Sequence, residues 1–207
     1  MDEATVNYYS KNASAVAARY ESVASGLSAS FATSFRPQSK LLDIGCGSGR
    51  DLALLSKQGH DVYGVDATPE MVMVAQSLHP ELMGRIQQAS LPDCDPPFNG
   101  DFDVVLCSAV LMHLPVEQLE PAANSIKRCL KLKGRLLYSV PSQRLDVVTE
   151  DRDANGRLFV PDQSDRLESI FQGIGFRTLD KWGDEDSFGR DSVKWVSVLM
   201  ERSDQQA

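Results

Sequence analysis

The chain has 207 residues, 42% hydrophobic and 24% charged, the length and balance of one globular domain with a substantial core. It contains no run of eighteen or more apolar residues, and Met1-Asp2-Glu3 does not begin like a signal peptide, so no membrane span is expected and a cytoplasmic protein is. A formal net charge of −8 disfavours a large nucleic-acid footprint, which needs clustered Lys and Arg, and Cys46, Cys94, Cys107 and Cys129 lack CxxC spacing or a His cluster, so neither a metal site nor disulfides are expected.

Ala4 to about Gly26 repeats apolar residues at three- and four-residue steps (Val6, Tyr9, Ala13, Val16, Ala17, Tyr20, Val23), the period of an amphipathic helix. A short helical piece follows over 27–35, and Arg36-Pro37-Gln38-Ser39 breaks it. From about Lys40 the pattern alternates: strand 41–45, helix 50–58, strand 61–66, helix 69–78, a strand near 85–88, strand 102–107, helix 116–130 and strand 134–140. Repeated strand–helix units predict a parallel sheet covered by helices on both faces. A polar stretch runs to about Ser164, then a helix near 165–173 and two strands, 176–182 and 193–200. Residues 203–207 are expected to be disordered. The chain divides into an N-terminal helical cap (1–36), a core (40–141) and a C-terminal part (142–202).

Within this alternation, Leu41-Leu42-Asp43-Ile44-Gly45-Cys46-Gly47-Ser48-Gly49-Arg50 places three alternate glycines between an apolar strand and a helix. Such a turn lets a ligand approach the backbone without meeting Cβ atoms, and the helix after it starts with unpaired N–H groups. The dinucleotide fingerprint requires a third glycine where Arg50 stands, and the phosphate loop requires Gly-Lys-Ser/Thr; neither is present. The next strand ends in Asp66, 17 residues beyond Gly49, where an acid can take both hydroxyls of a ribose. Thr68-Pro69 reads as N-cap and first helical residue, which leaves Asp66 free. Strand carboxyl ends converge in such sheets, which brings Gly45, Asp66, Ala89 and Cys107 together.

The order DxGxGxG, helix, strand ending in Asp resembles the class I S-adenosylmethionine-dependent methyltransferases. The likeness extends through Phe102 to Leu114, similar to that family's fourth strand and following loop, and through Leu130-Lys131-Leu132-Lys133-Gly134-Arg135-Leu136, similar to its L-x-P-G-G-x-L turn with Lys133 in place of proline. Residues 188–195 resemble the tail of a bacterial small-molecule subgroup of unassigned substrate. The resemblance implies a Rossmann-like, doubly wound α/β fold: a mostly parallel seven-stranded sheet with an antiparallel last strand and N-terminal helices. It also implies S-adenosyl-L-methionine as cofactor, with S-adenosyl-L-homocysteine as product.

The positions it assigns to the cofactor are Asp43, Gly45, Cys46, Gly47 and Gly49 around the methionine part, Asp66 at the ribose, and Ala67 and Met71 beside the adenine. Cys46 and Cys107 read first as small packing residues near the ligand, and Met71 equally as core or as an adenine contact. Arg50 either meets the cofactor carboxylate or is a solvated residue of its helix. After the third strand, where many members carry an acid facing the adenine, this chain has Ala89, Ser90 and Leu91, of which Ser90 or the main chain is the substitute. Cys107 and Ser108 end the fourth strand. His113 is the candidate general base, against a plain packing histidine, because its imidazole titrates near working pH; methyl transfer from a sulfonium does not require a base. Candidate acceptor contacts are Tyr8, Tyr9, Tyr20, Met112 and Arg144; Arg144, Arg152 and Arg157 can meet an anionic substrate. Arg190 and Asp191 read as an ion pair or a substrate clamp.

The expected function is methyl transfer by in-line displacement to O, N or S of a small molecule, by a monomer or homodimer. Two alternatives remain open: a peptide or protein methyltransferase, suited by an acidic cleft at Asp184, Glu185 and Asp186, and a non-catalytic cofactor-binding adaptor.

Overall fold

The computed structural model describes residues 1–149, 151–160 and 163–203. Five strands alternate with helices: β1 (Lys40–Ile44), β2 (Asp61–Asp66), β3 (Ile86–Gln88), β4 (Phe102–Ser108) and β5 (Leu130–Arg144). The helices between them are α3 (Arg50–Lys57), α4 (Pro69–Leu78) and α5 (Leu119–Cys129), preceded by α1 (Glu3–Glu21) and the single turn α2 (Phe31–Ser34). After β5 come a small ribbon, β6 (Val147–Thr149) and β7 (Arg152–Asp153), then α6 (Gln163–Gly173), β8 (Phe176–Glu185) and β9 (Val193–Arg202).

The main sheet has seven strands in the order β3-β2-β1-β4-β5-β9-β8. β1 to β5 pair in parallel, while β9 runs antiparallel to both β5 and β8. The expected α/β class and its antiparallel last strand are therefore present. Alternation along the strands sends Leu42, Ile44, Val105, Leu136 and Tyr138 to one face, under α5 and α6, and Leu41, Val104, Leu106 and Leu137 to the other, under α3. The strand order reverses between β1 and β4, so a crevice opens beyond their carboxyl ends.

Several boundaries differ from the sequence reading. α1 stops at Glu21 because Ser22 turns its amide and hydroxyl back onto the Arg19 carbonyl. β5 begins at Leu130, which pairs with Phe102 before the register shifts. At that shift Lys133, in place of the usual proline, sits at φ 59°, and a Cβ on Gly134 would lie 2.7 Å from the Lys131 carbonyl oxygen. The polar stretch after β5 contains the β6–β7 ribbon, although Glu150, Pro161 and Asp162 lie outside the described residues. Ser203 is tied by its amide and hydroxyl to the Gly175 carbonyl, against the expectation of disorder there; 204–207 lie outside the described residues.

Candidate active site

The crevice is a cavity at the carboxyl ends of β1, β2, β4 and β5, roofed by α1. Two sets of contacts hold that roof. At its start, Asp2 caps α1 through the Thr5 amide and receives the Arg152 guanidinium, while the Thr5 hydroxyl accepts the Leu158 amide at 2.9 Å. At its end, Glu21 accepts the Ser48 hydroxyl of the glycine turn at 2.6 Å.

The glycine turn is built by close approach. Gly45 has φ 75°, and a Cβ there would run into the Val110 side chain. Gly49 serves a different purpose from the one expected. It N-caps α3 at φ 82°, and a Cβ would meet Leu82, His79 and Ala75 at 3.2 to 3.5 Å. It therefore packs α3 against the α4 region and does not line the cavity. Gly45, Cys46 and Gly47 do line it, and Tyr20 of α1 lies over the exposed side of Gly47.

Two carboxylates face the cavity from neighbouring strands. Asp66 accepts the Gly47 amide at 3.1 Å on one oxygen, and the Thr68 amide and hydroxyl at 3.0 and 3.2 Å on the other. Thr68 occupies the N-cap position, but its hydroxyl serves Asp66 and makes no helix cap; Asp66 is anchored, not free. Asp43 differs. It is 3% exposed, and its Oδ1 is buried with no hydrogen-bond partner among the described residues. Burial, then the nearby charges of Asp51 and Asp66, push its carboxyl well above the ordinary carboxylate range; burial also raises Asp66, against its hydrogen bonds. Arg50 offers little compensation. Its Nη1 is committed to the Tyr20 and Val23 carbonyls at 2.8 and 2.9 Å and its Nε to Asp51, so the arginine ties the end of α1 to α3 while it also lines the cavity.

Ala67, Met71 and Ser108 also line the cavity. Cys107 does not: it is fully buried in the core, and burial drives its thiol pKa up. Ala89, Ser90 and Leu91 do not either. The Ser90 hydroxyl and the amino group of Met1 both donate to the Leu91 carbonyl, and the Leu91 side chain is core.

At the other end, His113 is buried. Its Nδ1 lies 2.6 Å from the Leu158 carbonyl and its Nε2 lies 3.3 Å from the Tyr9 hydroxyl. A carbonyl only accepts, so Nδ1 carries the proton and Nε2 accepts from Tyr9. Burial, then the Arg157 and Arg144 charges, lower its pKa to about 4. His113 is thus neutral with both nitrogens engaged, and it lines the cavity together with Tyr9.

Tyr9, Tyr20, Met112 and Arg144 line the cavity; Tyr8 does not, and packs edge-on to Tyr9 beneath the Arg157 guanidinium. The sequence reading missed Phe159; Arg157, Arg190 and, from the 188–195 tail, Phe188 and Trp195 line the cavity as well. Arg190 pairs with Asp186, 2.7 Å away, not with Asp191, and the Trp195 indole donates to the same carboxylate. Their i, i+4 spacing in the tail was the available signal. The three acids named for a basic substrate all line the cavity, each with a partner of its own. Asp186 is neutralised by Arg190 and Glu185 pairs with Lys194 at 3.4 Å, while Asp184 accepts the Ser197 hydroxyl.

Residues 42–138 match the family model described as "Methyltransferase domain". A mitochondrial ubiquinone biosynthesis O-methyltransferase of Schizosaccharomyces pombe is 39% identical over 111 residues, 51% of this chain and 39% of that protein. An uncharacterized protein of Haemophilus influenzae is 30% identical over 162 residues, 73% of this chain and 63% of that protein. The chain spans 39 to 42% of the length of the ubiquinone biosynthesis relatives from Schizosaccharomyces pombe and Xanthomonas oryzae. Among solved structures, a TehB-like SAM-dependent methyltransferase from Corynebacterium glutamicum superposes with TM-score 0.69 at 23% identity, covering 98% of this chain and 100% of that one. Magnesium protoporphyrin IX methyltransferase from Synechocystis, with bound SAH, gives 0.66 at 19% identity, covering 97% and 86%. At these identities the likeness is one of fold.

Proposed function

We propose, from the premise that residues 42–138 form a methyltransferase domain of the class I, S-adenosylmethionine-dependent kind, that the whole chain is one such domain and methylates an O, N or S atom of a small molecule. One observation carries the reading: an anchored carboxylate, Asp66, and a buried, unpartnered one, Asp43, end adjacent strands and face the same cavity. The chemistry of that pair fits the cofactor. Asp66, held rigid by Gly47 and Thr68, keeps one of its about four acceptor sites open for a ribose hydroxyl, and a second is freed when the Thr68 hydroxyl turns away from it. Asp43 lacks a cation, and an ammonium group is the ligand that relieves an unpaired buried carboxylate. Ala67 and Met71 then flank the adenine, and Gly45 and Gly47 admit the methionine part.

When bound, S-adenosylmethionine supplies a methyl group on a sulfonium, an electrophile that an aligned nucleophile displaces in line. The chain's part is to align and to exclude water. α1 covers the cleft, Ser108 and Met112 face it from β4 and the following turn, and the Tyr9 hydroxyl, fixed between His113 and Arg157, accepts a hydrogen bond from the attacking group. His113 holds Tyr9 and takes no proton directly from substrate. Among the described residues no helix is long and apolar enough to cross a membrane. Four free cysteines, with Cys94 and Cys129 in thiol contact, suit a reducing cytoplasmic setting.

The test is incubation with methyl-labelled S-adenosylmethionine and panels of phenolic, amine and thiol acceptors beside a panel of basic peptides. Label on a small molecule supports the reading. Label on peptides alone refutes the acceptor class, and cofactor binding without label on any acceptor favours the adaptor.

A further inference from the structure

Asp43, Asp51 and Asp66 cluster at the glycine turn, and elsewhere the cavity lining carries Arg144, Arg157 and Arg190 beside Asp184, Glu185 and Asp186. All three arginines are bound in one manner. Arg144 gives Nε and Nη2 to Asp146 at 2.6 and 2.8 Å, Arg157 gives the same pair to Asp153 at 3.0 and 2.6 Å, and Arg190 gives the same pair to Asp186 at 2.9 and 2.7 Å. Each fork is thereby fixed in orientation with its Nη1 end left over. Arg157 spends that end on the Tyr9 hydroxyl at 3.2 Å. The Nη1 groups of Arg144 and Arg190 donate to no partner among the described residues.

Arg144 is the informative member. Its side chain is only 6% exposed, and its guanidinium lies over the Phe159 ring, 3.7 Å from the centroid. It lines the cavity while Asp146 does not, so the paired edge faces away and the donor-bearing end faces in. Donors left over at the cavity wall are available to the acceptor atoms of a ligand. The three arginines lie close enough to act on one another's surroundings: the Arg144 and Arg157 charges both depress His113, and the Arg190 charge bears on Asp146.

Resting on the cofactor reading above, we propose that the methyl acceptor is a small aromatic molecule carrying a carboxylate, held by the Nη1 ends of Arg144 and Arg190, with its ring against Trp195. A carboxylate fits better than a phosphate dianion. Each arginine charge is already balanced by its aspartate, so the end offers oriented donors and little excess charge. Trp195, in the cavity lining, provides the stacking surface that a planar acceptor needs.

The test is calorimetry on the full chain saturated with S-adenosylhomocysteine, titrating acid–amide pairs of equal shape: benzoate and benzamide, phenylacetate and phenylacetamide, indole-3-carboxylate and its amide. At least one acid should bind tenfold or more tighter than its amide. Arg144→Gln should bring that ratio within threefold while leaving S-adenosylhomocysteine affinity unchanged, and Arg144→Lys, which keeps the charge without the fork, should recover part of it. If Arg144→Gln does not fold, Arg190→Gln supplies the same comparison with a loss of at least threefold. Equal binding of acid and amide in every pair, absence of binding by all of them, or a preference that survives both glutamine variants overturns the proposal. Failure of S-adenosylhomocysteine to bind counts against the cofactor reading instead, and the acid–amide comparison without it still decides this one.

Discussion

Asp43→Asn separates the cost of the site from its use. The native carboxylate is 3% exposed, has an unpartnered buried oxygen and lies near two further acids. Asparagine keeps the shape and removes the charge. An uncompensated buried polar group costs about 1–3 kcal/mol, so the variant should be more stable than the native protein, ligand-free, by about that amount at pH 8. In a chain of this size each kcal/mol corresponds to roughly 2–4 °C in melting temperature. The sign follows from the raised folded-state pKa. The unfolded chain loses this proton near pH 4, so the native penalty is absent below that pH and develops as pH rises toward the folded-state value. The variant's advantage should therefore be present at pH 8 and gone at pH 4. Cofactor affinity should move oppositely. Loss of a hydrogen bond to a charged group, about 1.5–3 kcal/mol, weakens S-adenosylhomocysteine binding by roughly tenfold or more. Thermal melts at both pH values and calorimetry at pH 8 measure the two effects. A variant less stable than native at pH 8, or one that binds the cofactor as tightly, would refute the reasoning.

Asp66→Ala should leave the fold intact and weaken S-adenosylmethionine binding at least tenfold by calorimetry, since it removes a charge-assisted pair of hydrogen bonds. His113, with a folded pKa near 4 against about 6.5 unfolded, should cost the native state stability as pH falls from 6.5 to 4, roughly 3 kcal/mol in full; urea melts across that window should show the slope, and His113→Asn should flatten it. Nitrogen NMR should find His113 protonated on Nδ1 above pH 5, and the Tyr9→Phe variant should shift only its Nε2 signal. Gly45→Ala combines a strained φ with collision against Val110, and should cost more than the roughly 1–2 kcal/mol of the backbone alone. Val110→Ala should return part of that loss, and purely additive losses in the double variant would show that Val110 is not the obstacle.

The parts of the fold legible in the sequence were those with local causes. β1, the glycine turn, α3 and β2 follow one another within 27 residues, 40–66, and their apolar runs and glycines state their geometry directly. The cofactor end could be drawn because strand ends converge in a parallel sheet. The Thr68 hydroxyl went elsewhere because a buried carboxylate competes for a donor more strongly than a solvated helix end does. Cys107 and Leu91 were assigned to the ligand by position along the strands, but side-chain direction turned both into the core. The acceptor end was much less legible. Phe159 reaches the cavity only because the β6–β7 ribbon folds back under the start of α1, through Asp2–Arg152 and Thr5–Leu158 contacts that join residues about 150 apart. No periodicity in 145–160 signals that return. His113 looked accessible as a base because its partners, Leu158 and Tyr9, lie 45 and 104 residues away.

Cofactor binding by the purified protein, measured by calorimetry with S-adenosylmethionine and S-adenosylhomocysteine and with NAD and ATP as controls, tests the assignment of the cavity most directly. Micromolar binding of the first two and none of the controls is expected. No binding of either, or binding of NAD or ATP in their place, would contradict the assignment.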